Sequence, residues 1–174
     1  LKTVSLDGNF QLETIGNTEI TYTYDFDIFK NFLDQDFKNL PTSEINIRSS
    51  PTEFFNFNIK YEWGKDIAYN EEIPDIGKLK TASIYASFQI NEKLNFTGSL
   101  NYSELKNIES NENYFSGNIF RLTTRYQFSN FLNFRLISEK NTFSKLFFIQ
   151  PLVQWNPNPS TIFYLGGNQN TDLE

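Results

Sequence analysis

The stretch Leu94-Asn95-Phe96-Thr97-Gly98-Ser99-Leu100-Asn101-Tyr102-Ser103 alternates apolar residues or glycine with small polar ones at every step. In an extended chain, successive side chains point to opposite faces, so this order sorts the two kinds onto two sides of a strand. A helix would scatter the same residues around its circumference. Two faces of opposite character imply two different surroundings.

The pattern extends in both directions. Just upstream, Ala82, Ile84, Ala86, Phe88 and Ile90 oppose Thr81, Ser83, Tyr85, Ser87 and Gln89. At the start, Val4, Leu6, Gly8, Phe10 and Leu12 oppose Ser5, Asp7, Asn9, Gln11 and Glu13. Ile20, Tyr22, Tyr24, Phe26 and Ile28 then oppose Thr21, Thr23, Asp25 and Asp27. A short third run sets Ile45 and Ile47 against Asn46 and Arg48, and a fourth sets Phe55, Phe57, Ile59, Tyr61 and Trp63 against Asn56, Asn58, Lys60 and Glu62. Downstream, Phe120, Leu122, Thr124, Tyr126 and Phe128 oppose Arg121, Thr123, Arg125 and Gln127. Leu132, Phe134 and Leu136 oppose Asn133, Arg135 and Glu139. A ninth run carries Phe147, Ile149, Val153 and Trp155 against Gln150 and Gln154, and a mostly apolar tenth spans Thr161 to Leu165. The alternation predicts about ten strands in an all-β, antiparallel up-and-down meander. Pro151 lacks a ladder donor, which predicts a bulge or break in the ninth strand.

Composition agrees: 19 Phe and 9 Tyr lie among 174 residues, and aromatic side chains suit a pleated surface. There is no His and no Cys, which removes imidazole bases, thiol nucleophiles, disulfides and His/Cys metal sites. The net charge of −6 disfavours nucleic acid, whose phosphates require a basic face. No run of about 18 apolar residues is present, so any membrane crossing must use strands. The chain opens at Leu1 without initiator Met or export signal, so we read 1–174 as a single β-barrel segment, a fragment of a longer mature chain.

The links also alternate. Short turn-forming ones fall at Gly16-Asn17, Ser50-Pro51, Asn91-Glu92-Lys93, Ser129-Asn130 and Asn156-Pro157-Asn158-Pro159. Longer polar ones span 30–43, 68–78 and 106–116, with a shorter one at 141–144. Outer-membrane barrels join strands by short periplasmic turns and longer external loops, so this rhythm predicts a transmembrane β-barrel, or an arc of a larger one, in a bacterial outer membrane. In register with the apolar faces, Lys2, Lys30, Lys65, Lys80, Lys140 and Lys145 all fall near strand ends. A cation at the lipid midplane costs about 2–4 kcal/mol and much less at the interfaces.

On this reading Asp25, Asp27, Lys60, Glu62, Arg121, Arg125, Arg135 and Glu139 face inward as lumen-lining candidates, either setting pore selectivity or pairing across strands. Tyr61, Trp63, Phe88, Tyr102, Phe128 and Trp155 fall toward strand ends as lipid-interface aromatics. Acidic residues of the long links, including Asp34, Asp36, Glu71, Glu72, Asp75, Glu109 and Glu112, lack calcium-loop spacing, so no metal and no cofactor are expected. With only carboxylates available, the segment reads as non-enzymatic. The glycosylation-type triplets at Asn95 and Asn101 lie inside strands and read as chance. Expected partners are membrane lipid and, through the loops, other envelope proteins or surface polysaccharide. The competing reading is a soluble β-sandwich carbohydrate-binding module, in which Trp63 or Trp155 would stack on sugar rings.

The segment from Phe120 to Gly167, above all QPLVQWNPNPSTIFYLG from Gln150 to Gly166, resembles the C-terminal end of a Bacteroidota-type outer-membrane barrel family of unknown function. The resemblance implies a large exported protein with an N-terminal carbohydrate-binding-like module and a long barrel, of which this chain would hold the later strands. It covers the last third of the chain and brings no catalytic motif.

Overall fold

A computed structural model of the chain describes residues 2–14 and 17–173. Among the described residues there is no helix. The strands are β1 (Lys2–Thr14), β2 (Thr18–Phe32), β3 (Gln35–Thr52), β4 (Phe55–Ile67), β5 (Ile76–Asn91), β6 (Leu94–Asn107), β7 (Asn113–Ser129), β8 (Leu132–Asn141), β9 (Leu146–Asn158), β10 (Thr161–Gly166) and β11 (Gln169–Asp172). One sheet holds all of them as an up-and-down meander from β1 to β10, with β11 beside β9. A sandwich would divide its strands between two sheets. No pairing among the described residues joins β1 to β10, so the sheet is not closed.

The ladders keep like with like. Leu6 sits opposite Phe26, Phe10 opposite Tyr22 and Leu12 opposite Ile20, and from there Ile20 faces Ile47 and Tyr22 faces Ile45. On the other face Asp7 meets Asp25, Glu19 meets Arg48 and Thr23 meets Glu44. Later strands repeat this: Tyr126, Phe134 and Val153 form one row, and Gln127, Asn133 and Gln154 the row behind it. A one-residue slip would mix the rows, so the two-faced pattern fixes the register.

Several boundaries differ from the sequence expectation. The 30–43 link is no loop: β2 and β3 extend through it and meet at the two-residue turn Leu33-Asp34. Both turn residues have positive φ (51° and 62°), the geometry whose twist matches a two-residue hairpin. The next turn falls at Glu53-Phe54 rather than Ser50-Pro51, and the third long link shortens to 108–112. Of the expected Gly16-Asn17 turn, Gly16 lies outside the described residues, and Asn17 has φ 54°.

Ile28 is also displaced. Against β1 the register jumps from Ser5 opposite Asp27 to Val4 opposite Phe29, so Ile28 is an extra, bulged residue. Phe29 takes over the apolar row. Lys30 thereby moves to the polar face, where its Nζ lies 3.8 Å from Asp27.

Pro151 causes a break, but not in its own strand. β9 runs unbroken through it, while its neighbour is interrupted between β10 and β11. β10 and β11 keep one continuous register along β9, from Leu165 opposite Val153 to Gln169 opposite Ile149. They are a single strand with a gap beside Pro151, which reconciles eleven observed elements with about ten expected. The Pro151 carbonyl accepts the Gly167 N–H at 3.3 Å, so the missing proline donor points to the same side. The β8 ladder on the far side loses nothing.

The chain forms two compact units. The first comprises Leu1–Ser49, Asn58–Ser83 and Tyr102–Gly117. Its buried cluster is Phe37, Leu40 and Ile67, flanked by Phe32 and Ile76. Leu40 pairs with Asp27 and Phe37 with Lys30, so this cluster belongs to the polar face, near the ends of β2 and β4. Tyr69, just past β4, packs edge-on to Phe32 at 4.9 Å, and Lys30 lies 5.4 Å from its ring. The second unit comprises Ser50–Phe57, Ile84–Asn101 and Asn118–Glu174. There Thr123 and Ile137 face each other, both buried.

Among the described residues buried hydrophobic side chains are few, and the apolar rows are open. Val4, Leu6, Phe10 and Leu12 of β1 are 46–64% exposed, and Trp155, Phe163 and Leu165 at the other end of the strand order are 49–75% exposed.

Candidate functional site

The polar face is the richer in chemistry, and the ladders arrange it in two kinds of place. In one kind, charges are matched across strands. Lys60 Nζ lies 2.7 Å from Glu44, Arg48 lies 3.9 Å from Glu19, and Arg121 lies 3.4 Å from Glu139. Glu62 accepts a hydrogen bond from Thr81 at 3.2 Å, and Asn58 donates to Asn46 at 2.8 Å. Of the eight lumen candidates, Asp27, Lys60, Arg121 and Glu139 are thus ion-paired.

In the other kind, like charges stand opposite one another. Asp25 faces Asp7 across β1 and β2. Arg125 faces Arg135 across β7 and β8. Like charges directly opposite destabilise an antiparallel pair. Among the described residues neither arginine joins an ion pair, although Glu139 on β8 neutralises Arg121 on β7 of the same ladder. The Arg135 Nε is buried with no hydrogen-bond partner. A buried donor left unmatched costs about 1–3 kcal/mol, and more for a charged group.

Around these arginines lies a cavity of about 320 Å³. Its wall carries the side chains Gln127, Asn133 and Gln154, the row next to the arginines on the same face. The β5–β6 turn adds Glu92 and Lys93. The turn is held by Asn91, whose Oδ1 accepts the N–H of Lys93 at 2.9 Å and of Leu94 at 3.0 Å. Three cations and one carboxylate line the space, with neutral amides between them.

The aromatic candidates lie on the opposite face; Phe88, Phe128 and Trp155 sit toward strand ends, whereas Tyr61 is at the centre of β4 and Trp63 and Tyr102 are only a few residues past mid-strand. Tyr61, at the middle of β4, stacks on Trp63 at 5.5 Å. Tyr102 donates its hydroxyl to Glu104 at 2.9 Å. At the short-turn ends, Phe88 packs against Phe55 at 6.2 Å, Phe128 against Tyr126 at 4.6 Å and Trp155 against Phe163 at 5.3 Å.

Sequence reasoning named both arginines but not their juxtaposition. A signal was present, since Arg125 and Arg135 are equidistant from Asn130 in the turn between them. The amide row and Lys93 were missed, because no charge pattern marks an amide as part of a site. Glu44 was missed for want of the β3 register. Compared with family models, curated proteins and solved structures, the chain matches none.

Proposed function

We propose that this chain is a membrane-spanning part of a bacterial outer-membrane β-barrel, its apolar face meeting lipid and its polar face lining an aqueous lumen. The observation that carries this reading is the uncovered apolar face of the meander. Side chains such as Leu6 (64% exposed), Phe10 (62%) and Leu165 (75%) would each gain about 1–2 kcal/mol on leaving water entirely, and no second layer among the described residues provides that burial. Hydrocarbon does.

Three further features support it. Most strands have 13–18 residues, ample for the 9–11 or so that a tilted strand needs to cross the hydrocarbon layer. Phe88, Phe128 and Trp155 of the apolar face sit toward the short-turn ends of their strands, where an interfacial girdle would lie. The segment Phe120 to Gly167 resembles the end of an outer-membrane barrel family. A barrel also removes the free edges of β1 and β10, which would otherwise invite aggregation. The lumen wall would serve as part of a pore or as the inside of a surface scaffold, with lipid as the first partner and envelope proteins or surface polysaccharide at the loops.

The test is reconstitution. The chain, refolded in detergent or vesicles, is expected to float with liposomes and to migrate faster on a gel unheated than boiled. A monodisperse, folded monomer in detergent-free buffer would sink the reading.

A further inference from the structure

We infer that the polar face of β7 and β8 carries a binding site for a small oxyanion, a phosphate or carboxylate group, between Arg125 and Arg135. Three independent observations converge on it. The first is placement: the two arginines are direct cross-strand partners, so their guanidinium groups reach out from the same spot on one face. The second is lack of compensation. Arg121 of the same strand has Glu139 at 3.4 Å, whereas Arg125 and Arg135 have no carboxylate within ion-pair distance among the described residues, and the Arg135 Nε is buried without a partner. The third is space: the arginines line a cavity of about 320 Å³, roomy for a polyatomic anion where about 10–15 Å³ of such space already holds a water.

The class of ligand follows from the donors. A guanidinium group offers parallel N–H bonds in a planar fork that fits two oxygens of a carboxylate or phosphate better than a halide. Gln127, Asn133 and Gln154 form the adjacent row, three neutral amides that can donate to further oxygens without adding charge. Lys93 adds positive charge to the lining, partly offset by Glu92. A bound oxyanion supplies what the fold lacks there: a negative charge between two like cations and an acceptor near the buried Nε. The site requires only that the polar face meet water, so it stands apart from the membrane reading.

The experiment uses the full chain in detergent micelles. Inorganic phosphate and, separately, malonate are titrated against sodium chloride at constant ionic strength while the thermal midpoint is followed. At least one of them is expected to raise the midpoint saturably, as a ligand binding only the folded state must. Exclusion of a kosmotropic anion gives instead a rise that does not saturate and does not depend on the site. R125Q and R135Q are expected to weaken apparent affinity at least about 10-fold. R125K keeps the charge and loses the fork, so an intermediate loss is expected. R48Q, which removes a cation elsewhere on the polar face, is expected to leave affinity unchanged within about 2-fold. Should R135Q fail to fold, R125Q and R125K decide. The site is overturned if neither anion gives a saturating rise, or if the rise survives both R125Q and R135Q. Failure to float with liposomes would leave this result untouched.

Discussion

Gly64 shows what a single missing side chain can decide. It lies in β4 with φ +157°, and a Cβ there would run into the carbonyl oxygen of Pro41 and the backbone of Thr42. Backbone cannot move aside as a flexible side chain can, so only glycine permits this approach of the strands. G64A is expected to destabilise the fold by at least about 2 kcal/mol, seen as a lower urea midpoint for the refolded protein. Leu33 and Asp34 make the opposite case: neither is a preferred residue for positive φ in the way glycine is, yet both adopt it. The long ladder of β2 and β3 closes around them, so tertiary pairing overrides local preference. The residue scale is also where site reading from sequence is weakest. Arg125 and Arg135 were legible as inward-facing, but their isolation from carboxylates depends on which residues other strands bring near.

Among elements, the interrupted strand made by β10 and β11 is the most informative. Its gap arises from Pro151 in the next strand, whose missing N–H would have donated toward Gly167. P151V restores that donor. The substitution is expected to join β10 to β11, to show slow exchange at the amide it introduces and to add about 0.5–1.5 kcal/mol of stability. A rapidly exchanging amide there, with stability unchanged, would mean that the gap has another cause. The bulge at Ile28 acts in a similar way on β2: one extra residue hands the apolar row to Phe29 and turns Lys30 inward to Asp27. Period-two counting cannot see such an insertion, because the residues on either side are individually plausible on either face.

For the whole molecule, the question is what solvent meets the apolar face, and depth dependence answers it. Leu136 lies mid-strand in β8 on the row with Thr124 and Pro151, while Phe128 sits one residue from the end of β7. In a bilayer, L136R is expected to cost about 2–4 kcal/mol and F128R no more than about 1 kcal/mol, measured by reversible unfolding from vesicles. Equal small costs at both positions would mean that this face meets water.

The sequence by itself determined the strand class, nearly all the strands and, within each stretch free of a bulge, which residues share a face. Those properties follow from backbone geometry, since an extended chain must alternate its side chains whatever it packs against. Tertiary structure alone decided the registers, and with them the bulge at Ile28, the turn at Leu33-Asp34, the gap opposite Pro151 and the meeting of Arg125 with Arg135. Register is a relation between two strands, set by which rows of side chains and backbone donors fit together, and no single stretch of sequence contains it.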